Sequence, residues 1–111
     1  MLFVKLGLIN NVFHNSIVLK KQTKMKPITR EVYLKWYEDM LFWRKFEDKL
    51  AAVYIQQKVR GFLHLYNGQE AVLAGALHAM DLSKDKMITA YRNHVQPIGM
   101  GVDPRKVMAE L

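Results

Sequence analysis

The chain has 111 residues, half of them apolar and about a quarter charged, with no cysteine and a formal net charge of +7. That length suits one small domain, the absence of cysteine excludes a disulfide scaffold, a thiolate metal site and a thiol nucleophile, and no uninterrupted apolar run approaches the ~20 residues of a membrane-spanning helix. The charge invites a nucleic-acid reading, but its distribution removes it: residues 1–30 hold Lys5, Lys20, Lys21, Lys24, Lys26 and Arg30 and no acid, and the rest of the chain is nearly neutral.

Residues 1–24 mix apolar side chains with Asn and Lys and keep no helical period. Asn10, Asn11, His14 and Asn15 break up the compact apolar core that a secretory signal needs, and no A-x-A cleavage pattern follows. The lack of acids suits a mitochondrial presequence, whereas the scarcity of Arg and Ser does not. Met25 stands just before the first helical pattern. We therefore expect residues 1–24 to be a basic tail upstream of a natural start at Met25, and residues 25–111 to be the structured part. A basic arm without fixed structure is the alternative.

The first predicted element is a helix from about Thr29 to Arg60. Pro27 precedes it, Thr29 can cap it, and Glu31 lies in the first turn, where negative charge suits the helix dipole. Trp36, Met40, Trp43, Phe46, Leu50 and Val53 recur at spacings of three and four, which makes one apolar stripe. Glu38, Asp39, Arg44, Lys45, Asp48 and Lys49 occupy the remaining surface. The stripe is long for one core, so part of it is expected to face another subunit. Gly61 is the expected stop.

Phe62 to Tyr66 follows, apolar except for His64. Asn67-Gly68 is a turn signal, because both residues tolerate positive φ. Gln69 and Glu70 open a second helix to about Met80. Its small residues, Ala71, Ala74, Gly75, Ala76 and Ala79, let another backbone approach, so burial is expected. Met87 to Tyr91 reads as a short strand with Arg92-Asn93-His94 at its C-terminal end. Val95 to Val102, with Pro97, Gly99 and Gly101, reads as a loop. Asp103-Pro104 starts a third helix, Asp as cap and Pro in the first helical position. The chain then reaches Leu111 with no closing signal. One strand makes no sheet, so we expect an N-terminal piece of something larger.

Three residues are candidates for chemistry. His64 sits beside a turn and a helix start, where an imidazole can shuttle protons or donate to an anionic oxygen; a packed histidine with satisfied hydrogen bonds is the plain alternative. Tyr91 and Arg92 combine a phenol with a guanidinium at a predicted strand end, where ligands gather in α/β folds. The planar donors of Arg92 match two phosphate oxygens at once; a surface ion pair is the alternative. His94 faces the same loop in this reading and takes no assigned role. The chain contains no G-x-G-x-x-G, no P-loop, no G-x-S-x-G and no histidine pair at metal-ligand spacing.

Gly61-Phe62-Leu63-His64-Leu65-Tyr66-Asn67-Gly68-Gln69-Glu70-Ala71, followed by Thr89-Ala90-Tyr91-Arg92-Asn93-His94, resembles the N-terminal part of the alpha subunits of thiamine-diphosphate-dependent 2-oxo acid dehydrogenases. The likeness runs from about Lys26 to Leu111, and Gln69-Glu70 favours the pyruvate branch. Either block alone is weak; the two in order are specific. The resemblance implies an α/β class, with this chain the mostly helical N-terminal portion of a three-layer thiamine-diphosphate-binding fold, incomplete here. It implies oxidative decarboxylation of pyruvate with acyl transfer to a lipoyl group. The implied partners are a beta subunit in an alpha2-beta2 heterotetramer and the lipoyl domain of the acyltransferase component, with neither nucleic acid nor membrane. It puts Tyr91 and Arg92 on the cofactor's diphosphate and His64 near the substrate. Magnesium belongs to a G-D-G motif and a later asparagine that this sequence lacks, so the 111-residue chain alone is expected to be inactive. The expected compartment is a bacterial cytoplasm, with the mitochondrial matrix as the alternative. Against this stand a non-catalytic helical interaction module built on the Trp36–Trp43 stripe and a basic-arm protein binding through residues 1–30, the latter with a steep salt dependence.

Overall fold

The computed structural model describes residues 26–111. The expected tail and the start at Met25 lie outside the described residues. Four helices make the frame: α1, Arg30–Ile55; α2, Glu70–Ala79; α3, Val95–Gly99; and α4, Pro104–Glu110. No helix among them is long and apolar enough to cross a membrane.

α1 has no Gly or Pro along its 26 residues. Thr29 stands at its N-cap in extended conformation, but its side chain makes no cap bond; its carbonyl accepts the Tyr33 amide at 3.1 Å. The apolar stripe is real. Trp43, Phe46 and Leu50 are buried, with Trp36 and Met40 partly so. The helix ends before the expected Arg60. Gln57 takes the left-handed conformation (φ 58°), its amide bonds the Tyr54 carbonyl at 2.8 Å, and the Lys58 amide bonds the Val53 carbonyl at 3.3 Å. That is a Schellman stop, closed by a glutamine where glycine is usual. Gly61 (φ 88°) turns the chain again further on.

The turn after Tyr66 forms as expected: Gly68 has φ 89°, and the Gln69 amide donates to the Tyr66 carbonyl at 3.1 Å. α2 then packs one face on α1. Leu73 and Ala74 are buried, but Ala71, Gly75, Ala76 and Ala79 are exposed, so the expected burial of the small-residue face is corrected. The predicted strand at Met87–Tyr91 is also corrected. No strand occurs among the described residues; Met87 to Ala90 is irregular, and Tyr91 and Arg92 are left-handed. Without a neighbour to pair with, a strand has nowhere to place its backbone hydrogen bonds. The expected loop after it contains α3, one helical turn that buries Val95. α4 starts where predicted, with the Asp103 carboxylate accepting the Arg105 amide at 2.8 Å.

The core is Trp43, Phe46, Tyr66, Leu73, Ala74, Val95 and Val107, and Leu50 is fully buried outside that cluster. Each fully buried aliphatic side chain contributes roughly 1.5–3 kcal/mol relative to exposure. Gly99 lets α3 approach closely, since a methyl there would fall 2.6 Å from the Leu77 Cδ1 atom.

Candidate functional site

The two sequence blocks meet in space. The His64 and Tyr91 rings stand edge to face with centroids 5.4 Å apart. The Arg92 guanidinium donates from Nη1 to the carbonyl of Leu65, the residue after His64. Tyr91 and Arg92 both have positive φ, 59° and 46°. Left-handed backbone costs an L-residue about 1–2 kcal/mol, so two in succession must be held by their surroundings. Such strain collects where a side chain has to be aimed.

Two buried side chains hold this turn. Gln96, in α3, donates from Nε2 to the Arg92 carbonyl at 2.9 Å. His94 donates from Nδ1 to both carboxylate oxygens of Glu47, at 3.0 and 3.2 Å. Glu47 lies on α1 and is wholly buried, with His94 nearly so. His94 is thereby turned into the core and away from the loop it was expected to face.

The first block is anchored in the same manner. Glu70 opens α2 and receives a fork from Arg44, Nε to Oε1 at 2.6 Å and Nη2 to Oε2 at 3.0 Å. The Gly68 amide adds a third bond at 3.0 Å. The Arg44 fork holds the Glu70 carboxyl below its ordinary range, against the opposing effect of burial.

What remains at the surface is a cation with spare donors. Tyr91 is 76% exposed. Arg92 and His64 are exposed as well. Among the described residues no carboxylate pairs with Arg92, and the ring nitrogens of His64 make no hydrogen bond. A guanidinium and a phenol with unspent donors suit an anion that carries several oxygens. No cluster of three or more His, Asp or Glu residues that could hold a metal ion occurs among the described residues. An open groove of about 440 Å³ lies elsewhere, lined by Trp36, Trp43, Leu77, His78 and Gly99 among others, and none of the three candidate residues reaches it.

Sequence reasoning singled out His64, Tyr91 and Arg92, which the structure brings together, and did not single out Glu47, Glu70 or Gln96 as the side chains that anchor them. One signal was available for Glu47. It falls four residues after Trp43 and three before Leu50, on the buried stripe of α1, where a lone carboxylate must have a partner.

Comparison with known proteins gives the chain a family. The family described as dehydrogenase E1 component matches residues 38–111, a stretch that contains both blocks. The chain is 49% identical over 84 residues to the pyruvate dehydrogenase E1 component subunit alpha of Porphyra purpurea, covering 76% of this chain and 24% of that protein. It is 48% identical over 84 residues to the chloroplastic subunit alpha-3 of Arabidopsis thaliana, covering 76% and 19%. With the subunit alpha of Rickettsia bellii it shares 43% identity over 91 residues, covering 82% and 27%. The chain thus spans about a quarter or less of the length of the curated relatives it matches. No solved structure matches. A family match across most of the chain, with both sequence blocks inside it and folded against each other, makes this chain a member of the dehydrogenase E1 component family.

Proposed function

We propose that this chain is the diphosphate-binding part of the alpha subunit of a pyruvate dehydrogenase. The reaction is the oxidative decarboxylation of pyruvate with acyl transfer to a lipoyl group. The observation that supports it best is the exposed Arg92 guanidinium, without an acidic partner among the described residues, aimed from a strained turn that touches His64. The names of the relatives, pyruvate dehydrogenase E1 alpha subunits, support the reaction.

The residues present fit the diphosphate end of thiamine diphosphate. One Arg92 donor is committed to Leu65, which fixes the guanidinium plane and leaves the remaining donors for two phosphate oxygens. The Tyr91 hydroxyl adds a neutral donor beside it. His64 lies against the Tyr91 ring and so faces the substrate side, where its imidazole donates a proton to a developing oxyanion or orders the transfer to the lipoyl arm. When bound, the cofactor supplies the nucleophile and electron sink that the side chains lack. Magnesium finds no comparable fit among the described residues, and we place its ligands outside this chain. The partners in this reading are a beta subunit, in an alpha2-beta2 heterotetramer, and a lipoyl domain. The fold is the leading helical part of a three-layer α/β domain, and the compartment is a bacterial cytoplasm. The 111-residue chain alone is expected to bind cofactor poorly and to turn nothing over.

The test is a pair of variants in the assembled enzyme. Arg92→Ala removes charge-assisted hydrogen bonds worth about 1.5–3 kcal/mol, so affinity for thiamine diphosphate with magnesium should fall by about ten- to a hundredfold in calorimetric titration. His64→Ala should lower kcat and leave that affinity nearly unchanged. The reverse pattern overturns the assignment.

A further inference from the structure

Gln96 is 7% exposed, and only one end of its amide is used. Nε2 donates to the Arg92 carbonyl at 2.9 Å, whereas Oε1 is buried with no hydrogen-bond partner. The orientation is dictated by chemistry, because a carbonyl only accepts. A buried acceptor without a partner is a net cost to the fold. An apolar side chain of the same length would pack there without that cost. The atom that Gln96 does satisfy belongs to Arg92, the second of the two left-handed residues. We propose that Gln96 is a positioning residue for the diphosphate-binding turn: its amide holds the Arg92 backbone in the strained conformation that aims the guanidinium outward. The inference rests on the reading of Arg92 given above.

The proposal sets stability and affinity in opposite directions. Gln96→Met keeps length and burial, removes the orphaned oxygen and removes the donor. In the assembled enzyme its urea unfolding midpoint should be unchanged or raised. Its affinity for thiamine diphosphate with magnesium should fall about five- to tenfold, the size expected for one hydrogen bond, and inorganic pyrophosphate should compete correspondingly less well. Gln96→Leu should repeat the pattern. A residue that only packs would lose stability and affinity together, or neither. Unchanged affinity in both variants, or loss of folding in both, overturns the proposal. Arg92→Ala, run alongside, separates two failures. If it weakens binding and Gln96→Met does not, the positioning role is wrong; if Arg92→Ala does not weaken binding, the reading of the site is wrong.

Discussion

Glu70 is held by three donors at the first residue of α2: the two arms of the Arg44 fork and the Gly68 amide. The fork lowers its carboxyl pKa, and the sign of the consequence follows. A carboxylate whose folded pKa lies below its unfolded value, near 4.3, contributes stability that is fully present above that value. The contribution is lost as pH falls through the folded pKa. Glu70→Gln keeps the shape and removes the charge. The stability difference between the natural protein and this variant, measured from urea midpoints on the intact subunit, should be constant from pH 7 down to about pH 5. It should then shrink toward pH 3. A difference that does not change with pH would mean that Glu70 acts by packing alone. The same residue fixes where α2 begins, and hence where the turn carrying Asn67 and Gly68 sits relative to His64.

At the scale of elements, the starts of helices were more legible than their ends. Asp103-Pro104 and the Asn67-Gly68 turn carry their chemistry locally, and both formed as expected. α1 stops at a left-handed glutamine that no propensity marks. Gln57→Gly should relieve the left-handed cost of about 1–2 kcal/mol and lose about 0.5–1 kcal/mol to the freer unfolded chain, leaving a net gain of about 0.5 kcal/mol and a slightly higher melting temperature. A lower one would show that the glutamine side chain holds the stop. The strand misreading at Met87–Tyr91 has a physical cause as well. Strand propensity reports packing on a pleated neighbour more than backbone preference, and no such neighbour exists among the described residues. α3 was hidden because Pro97 and Gly99 suggest a loop, although proline tolerates the first turn of a helix. His64, Tyr91 and Arg92 stood out as candidates because residue type alone suggests their chemistry. Glu47 and Glu70 were not, since their partners lie 47 and 26 residues away.

At the scale of the whole described molecule, α1 works as the jig on which both blocks are set. Arg44 reaches Glu70, at the end of the block that carries His64, and Glu47 reaches His94, at the end of the block that carries Tyr91 and Arg92. Positions 44 and 47 are one helical turn apart and share a face. The helix therefore brings together two loops that no sheet among the described residues aligns. Glu47 is the more consequential of the two anchors, because it and His94 are both buried. Removing Glu47 leaves the buried His94 Nδ1–H without an acceptor and costs about 1–3 kcal/mol. Glu47→Ala should lose that much in urea denaturation of the intact subunit. Glu47→Gln keeps an acceptor for the His94 Nδ1–H and should lose distinctly less. Equal losses would mean that the pair needs its charge, not merely its hydrogen bond. A negligible loss in both would mean that apolar packing around Trp43, Phe46 and Val95 sets the relation between α1 and the turn without help from the pair.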